Sequence, residues 1–587
     1  MKRKWLILFI FTLVLMGIGY IAWSDYTHTN DLIYFNGNIL TMNEAMPQAE
    51  AVYVKNGKII EVGGTAQILK LKNAQTVLID LKGKTLMPGL IDAHGHLDIA
   101  TIFYGMVDVS GFKHRNAASL WQSVANAVKN TPKGKWIFCH GFDPILTKGL
   151  ENPTIQKLDS LSPHHPLIII SQTLHFYYAN TRAFAEVGIT TKTPDPSKGS
   201  YYERDKAGKF TGLVVEQAAF EPFRIKLSEM VLKSFAQNTQ KLMTTNAKNG
   251  ITTNITMGLN VNKKNVLRLY EHLSSETAQP INNLLAFIGF LPPRCPNPRH
   301  FIYLRRQDAK ELLPSQVQNG DDFYKIVGIK LFYDGSPYIG SMFLRKPYIQ
   351  SKLTKEGIHL SPNHVGEALI NPDEFRKEIE TQQAKGWRIA VHCQGDRAIS
   401  DAMEILEKIH QKTPISPFRH RLEHCLLLPK EWIERMSVLN ITPSFHINHI
   451  LYYGDALQIE ILGEERTQKI LPIKSVSAQR IPFSLHADQP MFPAEPFSLM
   501  STAVNRKSQS GLLINPQEGI SVEQALRAVT IDAAWQLHME KKLGSIEKGK
   551  YADFVILAQN PLKVAKTSIA NVQVLETIVA GNTIWKK

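Results

Sequence analysis

The chain has 587 residues, with 67 Lys+Arg against 52 Asp+Glu and a formal net charge of +15. At 44% hydrophobic and 20% charged it is globular in composition and lacks the polar bias of a disordered chain. Four cysteines (Cys139, Cys295, Cys393, Cys425) without a C-x-x-C pair exclude a disulfide scaffold, a zinc ribbon and a thioredoxin-type site, and the dispersed Lys and Arg, with no RNP, zinc-finger or basic-helix pattern, read as a solvated surface and not a nucleic-acid footprint.

The first element is a run of twenty uncharged residues, Trp5 to Ser24, behind Lys2, Arg3 and Lys4. As a helix it would be ~30 Å long, the thickness of a bilayer's hydrocarbon core. The cations should stay cytoplasmic, leaving everything after Asp25 on the far side of the membrane. The expected location is therefore membrane-anchored or exported, and periplasmic in a Gram-negative bacterium. Ala22-Trp23-Ser24 is a tolerable cleavage site, but the run exceeds the ~7–15 residues of a signal core, so an uncleaved anchor is favoured.

Residues 31–85 read as short strands broken by turns at Asn36-Gly37 and Asn56-Gly57, and residues 541–587 repeat that texture. Together they are expected to form a small β-sandwich domain built from both chain ends. Between them, over 86–540, buried strands alternate with amphipathic helices such as Asp373–Lys385 and Ile399–Lys412. Candidate strands are Thr85–Asp92, Ile251–Thr256, Asn283–Phe290, Lys325–Tyr333, Trp387–His392, Arg419–His424, Ile441–Phe445 and Ile481–His486. Eight such strands point to an α/β fold with a closed (β/α)8 TIM-type barrel, an open doubly wound sheet being the competitor. The long gap after the first strand predicts a subdomain inserted at about residues 97–245.

Polar residues stand in these strands or at their C-terminal ends: His94 and His96, Lys330, His392, His424 and Asp488. That end of a barrel is where loops converge and active sites form. In an extended H-x-H both imidazoles lie on one side of the chain, so both can reach one ion. Two further histidines can reach a second ion, and Asp488 can touch a metal or accept a proton from an activated water. Lys330, in the apolar run VGIKLF, would be a buried cation unless it snorkels to the surface. Cys393 and Cys425 follow two of the histidines and read as packed thiols, since strand neighbours point to opposite faces.

These residues carry a specific resemblance. LMPGLIDAHGH (Leu86 to His96) is similar to the opening motif of the amidohydrolase superfamily, and GITTN (Gly250 to Asn254) to its second strand. GIKLFYDGS (Gly328 to Ser336), VHCQGD (Val391 to Asp396), RLEH (Arg421 to His424) and SLHAD (Ser484 to Asp488) resemble later motifs of amidohydrolase family 3, the N-substituted formamide deformylase-like branch. The likeness extends through IDAAW (Ile531 to Trp535) and LGSIEKGKYADF (Leu543 to Phe554). Two departures bear on substrate: the segment after Ser336, Pro337 to Pro347, and His446 and His449 after the seventh strand.

The resemblance implies two divalent metal ions, zinc by expectation. His94 and His96 would hold one, His392 and His424 the other, and a Lys330 carbamylated by CO₂ would bridge them. It makes Asp488 both metal ligand and general base, and His175, in SQTLHFYYAN, a substrate contact; His446 is expected to touch substrate as well. The implied activity is metal-dependent hydrolysis of amide or related C–N bonds in a small molecule. The alternatives are a mononuclear deaminase or lactam hydrolase on the same barrel, or a membrane-tethered binding protein without catalysis. Expected partners are a small-molecule substrate and the membrane, no nucleic acid, with a homodimer allowed.

Overall fold

The computed structural model describes residues 31–587 apart from 198, 260–262, 278 and 310–319. Eight parallel strands form one sheet in chain order: β1 (Leu90–Gly95), β2 (Ile251–Met257), β3 (Arg299–Arg305), β4 (Tyr324–Phe332), β5 (Arg388–Cys393), β6 (Arg421–His424), β7 (Thr442–Phe445) and β8 (Ser484–Leu485). β2 reads ITTNITM and is buried throughout, as a largely β-branched strand covered on both faces should be. Between β8 and β1 the ring is drawn together by a bridge from Gly95 to Gln489, by Asp488 N–H donating to His94 O (3.1 Å) and by His96 N–H donating to Gln489 O (2.7 Å). The result is a nearly closed barrel.

Helices connect the strands. Pro372–Ala384, between β4 and β5, starts where Asn371 accepts a hydrogen bond from Asp373 N–H and proline occupies the first helical position. Asp396–Lys412, between β5 and β6, buries Ile399, Met403, Leu406 and Ile409 at helical spacing.

Two sequence expectations misplace a strand. Thr85–Asp92 is two strands, Thr85–Pro88 in a different sheet and β1 beginning at Leu90. The break falls at Gly89, where a Cβ would lie 2.2 Å from Thr252 Oγ1, so only glycine allows β1 and β2 to pack this closely. Asn283–Phe290 is no strand; a helix covers Pro280–Phe287. The third barrel strand is β3, whose flanking arginines break up its apolar signal, and a short apolar run such as 283–290 has no period that separates helix from strand.

The N-terminal end builds one further sheet alone and shares a second with the C-terminal end. One has four strands, ordered Lys58–Gly63, Ala51–Lys55, Leu32–Phe35 and Val77–Asp80; the other joins Asn38–Leu40, Gln48–Ala49 and Thr85–Pro88 to Phe554–Leu557, Val574–Val579 and Asn582–Lys586. One core built from Leu32, Val52, Leu86, Phe554 and Ile578, among others, draws on both ends.

The expected transmembrane or signal segment is corrected. No helix among the described residues is long and apolar enough to cross a membrane, and the run from Trp5 to Ser24 lies outside the described residues. The described fold therefore contains no transmembrane element, and it gives no support to the membrane-anchored or exported location expected from the sequence.

Residues Ile99–Leu242, with Pro490–Pro493, form a second compact unit. Its mixed six-stranded sheet is ordered Tyr201–Arg204, Phe210–Val215, Phe176–Ala179, Leu167–Ser171, Ile137–Phe142 and Val107–Asp108. Aromatic packing of Tyr177, Phe184, Phe220 and Phe223 fills its core.

Candidate metal centre

The C-terminal ends of β1, β5, β6 and β8 carry a cluster of imidazoles around one carboxylate. His94 lies within β1 and His96 follows it. Their Nε2 atoms stand 3.3 Å and 3.1 Å from the same oxygen, Asp488 Oδ1. Asp488 adopts φ +56° and His424 φ +72°, left-handed conformations that non-glycine residues rarely hold and that concentrate where function demands them. Burial works against the Asp488 charge, but His94 and His96 outweigh it and hold the carboxyl well below the usual carboxylate range.

From β6, His424 places its ring 4.8 Å from that of His94 and 4.2 Å from that of His392 on β5. Burial pushes His392 down to about 3 and His424 well below its ordinary value, so both rings are neutral. His392 Nε2–H donates to Gly335 O (3.3 Å), which leaves its lone pair on Nδ1. His94 is fixed in the opposite sense. Its Nδ1–H donates to Glu423 Oε2 at 2.6 Å, which aims Nε2 toward Asp488. Arg421 Nε holds the other oxygen of Glu423 at 2.8 Å, with both side chains fully buried. Burial raises the Glu423 carboxyl, yet Arg421 and His94 bring it down to about 2.

Lys330, in β4, is buried, and its Nζ has no hydrogen-bond partner among the described residues. Burial lowers it to about 8, against the pull of Glu423 and Asp488. His446, beyond β7, donates through Nε2 to Ala487 O (2.9 Å) and sets Nδ1 3.9 Å from Asp488 Oδ2. His175 lies in the second unit, where its Nδ1 bonds Glu216 Oε1 at 2.9 Å. Cys393 and Cys425 are buried, and burial raises both thiols well above their ordinary value.

The donor set fits a divalent cation of the zinc type. Imidazoles and a carboxylate converge, and His94 Nε2 and Asp488 Oδ1 are buried opposite one another without hydrogen-bond geometry. Among the described residues, three groups have ligand atoms close enough to share an ion: His94, His96 and Asp488; His94, Glu423 and His486; and His424, His446 and His486. Sequence reasoning passed over Glu423, Arg421 and His486. The available signal was strand alternation: Arg421 and Glu423 lie two apart in β6, and His486 lies two before Asp488.

A family model described as the amidohydrolase family matches residues 77–585. The chain is 26% identical over 570 residues to an N-substituted formamide deformylase of Arthrobacter pascens, covering 94% of this chain and 98% of that protein. It is 26% identical over 568 residues to the protein LONG AFTER FAR-RED 3 of Arabidopsis thaliana, covering 94% and 91%. Among solved structures, an uncharacterized metal-dependent hydrolase of Pyrococcus furiosus superposes with a TM-score of 0.68 at 26% identity, covering 91% of this chain and all of that one.

Proposed function

The chain belongs to the amidohydrolase family and is a metal-dependent hydrolase acting on carbon–nitrogen bonds other than peptide bonds; we propose that it cleaves an amide or related bond in a small molecule, with Asp488 as the proton carrier. The observation that carries this reading is the convergence of His94 and His96 on one oxygen of Asp488. His94, His96, His392, His424 and Asp488 would hold the metal, with Lys330 bridging two ions as a carbamate.

Lys330 suits that modification. A buried amine lowered to about 8 is in part neutral near physiological pH, so its nitrogen lone pair can attack the carbon of CO₂. The new N–C bond forms as a proton leaves the nitrogen, and a cation costly to bury becomes an anionic ligand. When bound, divalent ions supply Lewis-acid polarisation of the scissile carbonyl and acidify the attacking water. Asp488, held ionised, takes the proton of that water during attack and then delivers it to the departing nitrogen. His446 is assigned to substrate for its Nδ1 beside Asp488.

The deciding experiment loads the purified chain with zinc and screens N-formyl, N-acyl, carbamate and lactam compounds. Turnover of at least one class, lost on chelation and regained with metal, is expected. A folded chain that takes up no divalent ion would overturn the proposal.

A further inference from the structure

One cation at the ligand-bearing end of the barrel has no part in any step above. Arg305 is the last residue of β3. It is the register partner of Lys330 on β4, and partners on neighbouring strands project to the same face of a sheet. Lys330 feels the charges of Glu423 and Asp488 on that face, so Arg305 leaves the ring on the side where the metal-centre residues gather. Gly258, just past β2, presses against both stems. A Cβ there would lie 3.3 Å from Lys330 Cγ and 3.4 Å from Arg305 Cγ.

Two contacts aim the head of the side chain. Arg305 Nε–H donates to Gly258 O at 3.3 Å, and the guanidinium carbon stands 5.9 Å from the centre of the Phe332 ring. The same ring lies 5.6 Å from the ring of His392 and 5.4 Å from Lys330 Nζ. A single aromatic side chain therefore links the guanidinium to two residues of the metal centre. Nε is engaged by the carbonyl, but Nη1 and Nη2 make no hydrogen bond or ion pair among the described residues, and they are not sealed from solvent. Asp98 and Asp308 attract the charge without forming an ion pair with it. An arginine keeps its charge in such a place, and a half-buried charge gains from a partner of opposite sign.

We infer that Arg305 holds a carboxylate of the substrate, so that the substrate class is an N-formyl or N-acyl amino acid and not the amide of a plain amine. The inference deepens the proposed function and rests on it. Nη1 and Nη2 of a guanidinium form a planar fork that matches the two oxygens of a carboxylate. The half-buried Phe332 ring, between that fork and His392, offers apolar surface to the carbon skeleton. With the C–N bond at the ligands and the anion at Arg305, one small molecule must carry both groups, and an acylated amino acid is the simplest that does.

The test uses the zinc-loaded full chain. Calorimetry compares 3-phenylpropanoate with 3-phenylpropan-1-ol, and turnover compares N-formylphenylalanine with N-formyl-2-phenylethylamine, which lacks only the carboxylate. The wild-type chain should prefer the acid in both pairs. Arg305→Met, which retains an unbranched stem, should reduce the acid-over-alcohol preference roughly 10- to 100-fold, the worth of hydrogen bonds to a charged group. In turnover the loss should fall on KM for the formyl amino acid, as removal of uniform binding does, and Arg305→Lys should keep part of the preference. A wild-type chain without preference for the acid overturns the inference. So does a preference that survives in Arg305→Met, which would put the carboxylate on the metal, and so does an equal loss for both formyl compounds, the mark of a structural arginine. If neither formyl compound is turned over, the binding preference decides. A wild-type chain that takes up no zinc would sink the metal-centre reading instead, and its acid-over-alcohol preference would still decide Arg305.

Discussion

At the residue scale the arrangement of Arg421, Glu423 and His94 separates two jobs that one carboxylate performs. Glu423 accepts the Nδ1 proton of His94 and so aims its Nε2; it also neutralises a guanidinium with no exposed surface. Glu423→Gln keeps an oxygen for His94 but leaves Arg421 uncompensated, a loss of about 3–5 kcal/mol for a buried pair. Zinc affinity should fall roughly 10- to 100-fold as the imidazole becomes less basic. Adding Arg421→Met should return much of the stability and little of the affinity, read by urea unfolding and chelator competition. Wild-type zinc affinity in Glu423→Gln would refute the assignment. Asp488→Asn removes the proton carrier and should lower turnover by about 10²- to 10⁴-fold; a variant with undiminished kcat would exclude Asp488 from that role. The sequence shows His94, His96, Lys330, His392, His424 and Asp488 because each is a polar interruption of an apolar strand end. It hides the role of Glu423: alternation puts this residue on the same face as Arg421, but only the His94 ring it meets gives it a role.

At the element scale the barrel strands with mostly β-branched or apolar runs are legible, β2 and β4 among them, because burial on both faces leaves that mark. The strand carrying arginines at its ends, β3, is obscured, and the helix Pro280–Phe287 imitates a strand. The other lapse, the merging of Thr85–Pro88 with β1, reflects a contact remote in sequence: Gly89 abuts Thr252. Gly89→Ala should therefore overpack the β1–β2 seam and cost about 1–3 kcal/mol. Because the crowding atoms are Thr252 Oγ1, Cγ2 and Cβ, Thr252→Gly should relieve it. The double variant should then be more stable than the two separate losses would sum to, and thermal unfolding of all four chains measures that coupling. Strictly additive losses would show that the break at Pro88-Gly89 has another origin.

At the scale of the whole molecule, the six candidate ligands fall in one compact unit, formed by the described residues up to Asp98, Met243–Gln489 and Ala494–Lys587. Within it His94, His96 and Asp488 straddle the barrel's thinnest seam. His94 and His96 end β1 and Asp488 follows β8, the two strands held by the Gly95–Gln489 bridge and the backbone bonds at His94 and His96. Elsewhere in the ring, neighbours such as β3 and β4 pair over whole strands. An ion held by His94, His96 and Asp488 would thus tie the first strand to the last, and part of its binding free energy would appear as stability of that closure. For a ligand at 100 times its Kd the gain is about 2.7 kcal/mol. Chelation should accordingly raise amide hydrogen exchange first at residues 94–96 and 486–489, then along β1 and β8. Exchange in the sheet strands Ile137–Phe142 and Leu167–Ser171 of the second unit should not change, since none of the metal ligands proposed above belongs to it. Restoring zinc should reverse the change. Exchange at the seam that is indifferent to metal would mean that the barrel closes by its backbone alone, and a rise confined to the second unit would move the stabilising ion away from Asp488.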